Sequence, residues 1–167
     1  IRDAVKQFKG VGRRFDRKGV VQDITVIDDY GHHPVEITAA LAAARMLKPH
    51  HRIVAVYQPH RFTRMRDLFN DFCACFNDAD HVIVADVYAA GESPIEGFAR
   101  DDFINGLIAH GHPSVSAMDN PEELGKLIME HANPGDVVMC LGAGTITNWA
   151  AELPHQLANI TGEEILP

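Results

Sequence analysis

The stretch Ile24-Thr25-Val26-Ile27-Asp28-Asp29-Tyr30-Gly31-His32-His33-Pro34-Val35 decides the architecture. Its β-branched start reads as a strand. Pro34 suits the first helical position, where a missing N–H has no intrahelical partner to lose. Ile37, Leu41, Ala44 and Lys48 then recur at helical spacing, the apolar members toward a core, until Lys48-Pro49 stops the helix. Between strand and helix lie two carboxylates, a phenol and two imidazoles. That is an unusual density of polar chemistry for a connection. In an open α/β sheet, the carboxyl ends of the strands are where ligands bind.

The same alternation continues outward. Ile53–Tyr57 reads as a strand, followed by a helix with Met65, Leu68, Phe69, Phe72, Cys73 and Phe76 on one stripe. Val82–Ala85 reads as a third strand. A long loop through Gly91, Pro94 and Gly97 leads to a helix around Asp101–His110, ended by Gly111. Val115 begins a short strand. Asn120-Pro121-Glu122-Glu123 has a capping residue, a proline and first-turn acids, the marks of a helix start. Asp136–Leu141 is the last strand, and Gly142-Ala143-Gly144 opens the last helix. Upstream, Arg13–Arg17 and Ile24–Ile27 read as two strands joined by a turn at Lys18-Gly19. Beyond about Leu157 no periodicity is visible. The pattern predicts one α/β domain over residues 1–167, a Rossmann-like open, mostly parallel sheet with helices on both faces.

Composition narrows the function. The chain has 167 residues, 46% of them hydrophobic, and a formal charge of -8. With no basic cluster, nonspecific nucleic-acid binding is not expected. No apolar run approaches the ~20 residues that span a bilayer, so no membrane partner is expected either. Cys73, Cys75 and Cys140 form no CxxC pair, which fits small apolar side chains in a reducing, cytoplasmic setting. The chain begins at Ile1, and Arg2 to Phe8 is patterned like the end of a helix. Residues 1–9 therefore read as the remnant of a connection from a preceding domain.

Four strand-to-helix loops are expected on one edge: Asp28–Pro34, Gln58–Arg64, Asp86–Glu92 and Gly142–Thr145. Arg61 and Arg64, three apart at a helix start, can aim two planar guanidinium forks at one carboxylate or phosphate. The plain alternative is a surface pair between Arg64 and Asp67. Asp28, Asp29, His32 and His33 include metal-ligand types, but adjacent histidines seldom share an ion and the spacing matches no known cage. His33 reads as covering the helix start, which leaves His32 to face a ligand. Gly142-Ala143-Gly144 fails as a dinucleotide fingerprint: Thr147 stands where the third glycine belongs, and the motif follows the last strand. Close approach to a ligand or tight packing explains both glycines. His50, His51, His110 and His112 read as solvated turns, and Phe8 and Phe15 as core. Arg13-Arg14 reads equally as a charged edge strand or as part of the site.

Gly12-Arg13-Arg14-Phe15-Asp16, Asp28-Asp29-Tyr30-Gly31-His32-His33-Pro34, Gln58-Pro59-His60-Arg61-Phe62-Thr63-Arg64, Asp86-Val87-Tyr88-Ala89-Ala90-Gly91-Glu92 and Gly142-Ala143-Gly144 occur in this order in the UDP-N-acetylmuramate–L-alanine ligases of the Mur ligase family. The chain resembles that family from about Phe8 to Leu157. The resemblance implies the third domain of a three-domain bacterial enzyme. Its first domain binds the UDP-sugar, and its central domain holds ATP and Mg2+ on a phosphate loop that has no counterpart here. The family reaction joins L-alanine to UDP-N-acetylmuramate through an acyl phosphate in peptidoglycan synthesis. Carried over by motif, Arg14 is implied near the ATP phosphates and Asp29 on the ribose. Tyr30, His32, His60, Arg61 and Arg64 are implied on the L-alanine side. His32 is implied as proton acceptor or orienting group. The domain is expected to pack on its central domain and to be inactive alone. The competing expectation is a stand-alone α/β module for a small anion or nucleotide; a nicotinamide dehydrogenase ranks third because of the broken fingerprint.

Overall fold

The computed structural model describes residues 12–167. The helix end expected over Arg2 to Phe8, the linker at residues 1–9 and the core placement of Phe8 lie outside the described residues. Within the described residues six strands form one sheet: β1 (Asp16–Val21), β2 (Ile24–Asp29), β3 (Ile53–Tyr57), β4 (His81–Val84), β5 (Val115–Ala117) and β6 (Val137–Leu141), in the order β1-β2-β6-β3-β4-β5. Only the β1–β2 pair is antiparallel. Among the described residues six α-helices connect and cover it: α1 (Pro34–Leu47), α2 (Phe62–Asp67), α3 (Phe69–Ala74), α4 (Arg100–Ala109), α5 (Leu124–His131) and α6 (Ile146–Thr161). The expected open, mostly parallel sheet is present.

The central strands are buried along their whole length because both faces are covered. Along β3 the pleat sends Ile53, Ala55 and Tyr57 into one core, with Phe72, Phe76 and Phe103. It sends Val54 and Val56 into the other, with Leu124, Ile128, Leu153 and Leu157. Each such large apolar side chain contributes roughly 1.5–3 kcal/mol on burial. The three cysteines are free and buried, as expected of small apolar residues.

Three expectations are corrected. The β1–β2 turn lies at Gln22-Asp23, both left-handed (φ 51 and 61), and not at Lys18-Gly19. The register shifts between Arg17 and Gly19, and a Cβ at Gly19 would lie 3.0 Å from Ile165, so this glycine serves a bulge packed against the C-terminal tail. The single helix expected after β3 is two, α2 and α3, separated at Leu68 (φ -122, ψ 22). The tail has structure: α6 runs to Thr161, and Leu166 pairs antiparallel with Val20. No described helix is long and apolar enough to cross a membrane.

Candidate functional site

Strands β2, β6, β3 and β4 are consecutive neighbours, three of their contacts parallel, so the loops that follow them share one edge. Backbone bonds lock these loops together. Gly142 N–H donates to Asp29 O at 3.2 Å. Across the second and third loops, Tyr88 N–H donates to Pro59 O at 2.8 Å and Arg61 N–H to Tyr88 O at 2.9 Å. Gln58 crosses to the last loop, where its Oε1 accepts from Ile146 N–H at 3.1 Å and its Nε2 donates to Thr145 Oγ1 at 3.0 Å. A Cβ at Gly142 would lie 2.8 Å from Gln58 O, and one at Gly144 would overlap Gln58 and Tyr88. Both glycines are therefore needed for loop-on-loop packing.

The residues before β1 form a turn beside the first loop and no edge strand, with Arg13 and Phe15 left-handed (φ 61 and 50). Asp29 holds that turn: Oδ2 accepts from Phe15 N–H and Oδ1 from Gly31 N–H, each at 2.8 Å. One lone pair per oxygen is left for another donor. Arg13 and Arg14 both face the Tyr30 ring, their guanidinium carbons 4.6 and 5.7 Å from its centroid. Arg13 also donates to Gly142 O at 2.7 Å and lies 3.8 Å from Asp28 Oδ2. Asp28 is fully buried and accepts from Thr147 Oγ1 at 2.6 Å. Thr147 thus stands in place of a fingerprint glycine because its hydroxyl satisfies a buried carboxylate. A shallow cavity of about 360 Å³ brings Arg14 and Asp29 together, with Glu36 on its wall and Ala39, Ala40 and Ala43 as its floor.

The imidazoles sit on the other side of Tyr30. His32 is 4.9 Å from the Tyr30 ring and 6.1 Å from the His60 ring, centroid to centroid. His60 stacks on Tyr88 at 5.3 Å. Burial first, then Arg64, His32 and Arg61, push the His60 pKa down, so its ring is neutral at pH 7. Arg64 contacts His60 Nδ1 and His60 O, each at 3.3 Å. The surface pair between Arg64 and Asp67 is absent: Asp67 is taken by Arg66 at 2.8 Å. Arg61 has a left-handed backbone (φ 74), a strained state for a non-glycine residue, and its guanidinium lies 3.5 Å from Glu92. His33 is the exposed residue just before α1.

Sequence reasoning missed three contributors. Glu36 accepts from the N–H groups of His32 and His33 at 3.1 and 3.2 Å, and lies 3.7 Å from Arg14. Burial opposes its ionisation, but the His32 N–H, the His32 ring, the His33 N–H and Arg14 outweigh it and lower its pKa. An acid in the first turn of a helix was the visible signal. Glu92 accepts from Thr63 N–H and Oγ1 at 3.0 and 2.7 Å, fixing the start of α2. Tyr88 completes the set: its loop was expected at the edge, but nothing local singles out this residue, whereas Arg13, read as equally a strand or a site residue, stands with the site.

The family description "Mur ligase, glutamate ligase domain" matches residues 13–144. The chain is 59% identical over 157 residues to UDP-N-acetylmuramate–L-alanine ligase from Methylobacterium radiotolerans, covering 94% of this chain and 33% of that protein. It is 57% identical over 158 residues to the ligase of the same name from Xanthobacter autotrophicus, covering 95% and 33%. Among solved structures, UDP-N-acetylmuramate–alanine ligase from Thermotoga maritima superposes with a TM-score of 0.75 at 27% identity, over 95% of this chain and 33% of that one. The chain spans about a third of the length of the curated relatives it matches.

Proposed function

The chain belongs to the Mur ligase family through its glutamate ligase domain, and on that premise we propose that it supplies the amino-acid side, and part of the ATP side, of a bacterial cytoplasmic enzyme joining L-alanine to UDP-N-acetylmuramate. The observation that carries this reading is the convergence of two arginines, Tyr30, His32, His60 and Arg64 on one edge, in the motifs shared with ligases of that name. Arg14 faces the ATP phosphates, and Asp29 offers its remaining lone pairs to the ribose. The alanine carboxylate binds Arg61 and Arg64, with Tyr30 and His60 beside it. Phosphates and Mg2+ are held mainly on a central domain against which this one packs.

The muramoyl carboxylate is phosphorylated by ATP. A proton leaves the alanine ammonium for His32, and the freed amine attacks the acyl phosphate. A C–N bond forms, the C–O bond to phosphate breaks, and phosphate departs with the second proton, which the new amide nitrogen gives up. The chain's share is positioning and charge neutralisation, which supply most of the acceleration in chemistry of this kind.

In the full-length ligase, Arg61→Ala raises the KM for L-alanine at least about tenfold, the loss of one charged hydrogen-bonding contact, and leaves that for ATP nearly unchanged. Equal effects on both substrates overturn the carboxylate role. The 167-residue chain alone gives no ATP-dependent ligation of L-alanine; turnover by it overturns the shared-site reading.

A further inference from the structure

We propose that Glu36 is a positioning residue which, with the Tyr30 carbonyl, fixes His32 as its Nδ1–H tautomer and leaves the Nε2 lone pair as the acceptor for the ammonium proton. This deepens the L-alanine reading and rests on it for the identity of the amine. His32 Nδ1 lies 3.0 Å from Tyr30 O and 3.3 Å from Glu36 Oε2. A carbonyl and an ionised carboxylate only accept hydrogen bonds, so the nitrogen between them carries the hydrogen. Nε2 makes no hydrogen bond among the described residues. Its lone pair is therefore available to a ligand.

The neighbouring ring is set the opposite way. His60 Nδ1 faces Arg64 Nη1 at 3.3 Å, and a guanidinium only donates, so Nδ1 of His60 accepts and its hydrogen sits on Nε2. Two imidazoles 6.1 Å apart thus present one acceptor and one donor. The acceptor takes a proton from the amine. The donor is available to the substrate carboxylate or a developing oxyanion.

The proton balance supports the assignment. When the ammonium gives a proton to His32 Nε2, an amine and an imidazolium result, and the new positive charge is shared with Nδ1–H, beside the Glu36 carboxylate. The groups facing His32 are Tyr30 and Glu36 on its own segment and His60 from across the edge; Arg64 contacts His60, and Arg14 faces Glu36 from the turn before β1. Among these, Glu36 is the carboxylate in contact with the ring. Backbone N–H groups of His32 and His33 hold it in place through their bonds to Oε2.

The test is long-range proton–nitrogen NMR of the neutral imidazoles in the 167-residue chain, which needs no turnover. The expected spectrum has His32 as Nδ1–H and His60 as Nε2–H. Glu36→Ala moves His32 toward Nε2–H and leaves His60 unchanged, while Glu36→Gln, whose amide oxygen still accepts, restores Nδ1–H. An Nε2–H signal for His32 in the wild type overturns the inference, whether or not the variants fold. So does a tautomer indifferent to Glu36→Ala. In the full-length ligase Glu36→Ala lowers kcat with L-alanine by about tenfold to a hundredfold, the cost seen when a metal-bound histidine loses its orienting partner. An unchanged kcat overturns the positioning role. Absence of L-alanine ligation by the wild-type enzyme would instead sink the functional reading and leave the tautomer result standing.

Discussion

The two ends of the sheet use the same side-chain types to opposite effect. At the amino ends of the parallel strands, polar groups close on one another. Asp136 accepts from Arg52 N–H at 2.9 Å and from Asn133 N–H at 2.7 Å. Asp80 accepts from Arg45 and from Ile53 N–H at 2.6 and 2.7 Å. His81, buried, has Ser114 Oγ at 2.7 Å from Nδ1 and Ser116 Oγ at 2.9 Å from Nε2, and stacks on His131 at 3.7 Å. At the carboxyl ends the pairing is incomplete. His32 and His60 each have one engaged nitrogen, Arg14 and Arg61 are half-exposed, and Asp28 Oδ1 and Arg13 Nε have no hydrogen-bond partner among the described residues. The kind of side chain does not separate the two ends; the fraction of its hydrogen-bonding capacity already used does. A histidine with both nitrogens matched is a structural element, and one with a free nitrogen has capacity left for a ligand.

The sharpest way to break this contrast is pH. Burial, reinforced by His131, Arg52 and His112, lowers the His81 pKa to about 4, against 6.5 for the free side chain. Between these values the unfolded chain binds a proton at this position that the folded chain refuses. The His81 contribution to stability is therefore complete above pH 6.5 and is lost as pH falls toward 4. The gap corresponds to about 3 kcal/mol. Denaturant unfolding of wild type and His81→Gln at a series of pH values should show a wild-type excess slope across that window. Parallel curves would mean that His81 is not the closed, neutral group its contacts indicate.

A second, smaller effect probes the open end. Thr147→Val removes the 2.6 Å bond to the buried Asp28 carboxylate while keeping side-chain volume. An acceptor left short in a buried site costs about 1–3 kcal/mol. Thr161→Val, which loses a bond to Leu157 O and a long, exposed one accepted from Glu163 N–H at the end of α6, should cost no more than about 0.5 kcal/mol. Equal losses for the two variants would remove the reason for threonine at the third-glycine position.

The same contrast explains what could be read in advance. Strand-helix alternation was legible because each central strand is buried on both faces and each helix carries its own stripe. The site loops were legible because each follows a strand with residues that suit a ligand edge, polar clusters in three and paired glycines in the fourth. What failed was what depends on distant partners or backbone hand. Gly19 looked like a turn residue, yet it answers to Ile165, far along the chain. Leu68 sits within a continuous apolar stripe, and a one-residue break leaves the stripe intact. Arg13 and Arg14 are indistinguishable as letters; left-handed φ at Arg13 and Phe15 helps place the first on Asp28 and Gly142 and leaves the second half-exposed beside Glu36. Gln58, Tyr88 and Glu92 matter through contacts across loops, and no local spacing encodes such contacts.

The smallest expected effect tests whether unmet polarity is confined to the ligand edge. Tyr57 ends β3 at that edge, but its side chain turns into the aromatic core against Phe72, Phe76 and Phe103 at 5.2–6.0 Å between centroids. Its hydroxyl is buried and has no hydrogen-bond partner among the described residues. Burial pushes its pKa well up, so the phenol is neutral and contributes no charge to the site. Such a hydroxyl gains nothing from folding and loses its hydration. Tyr57→Phe should therefore stabilise the chain by about 1 kcal/mol in denaturant unfolding. A loss of similar size would mean that the hydroxyl is hydrogen-bonded in solution, and that the open polar edge reaches one layer deeper than the loops.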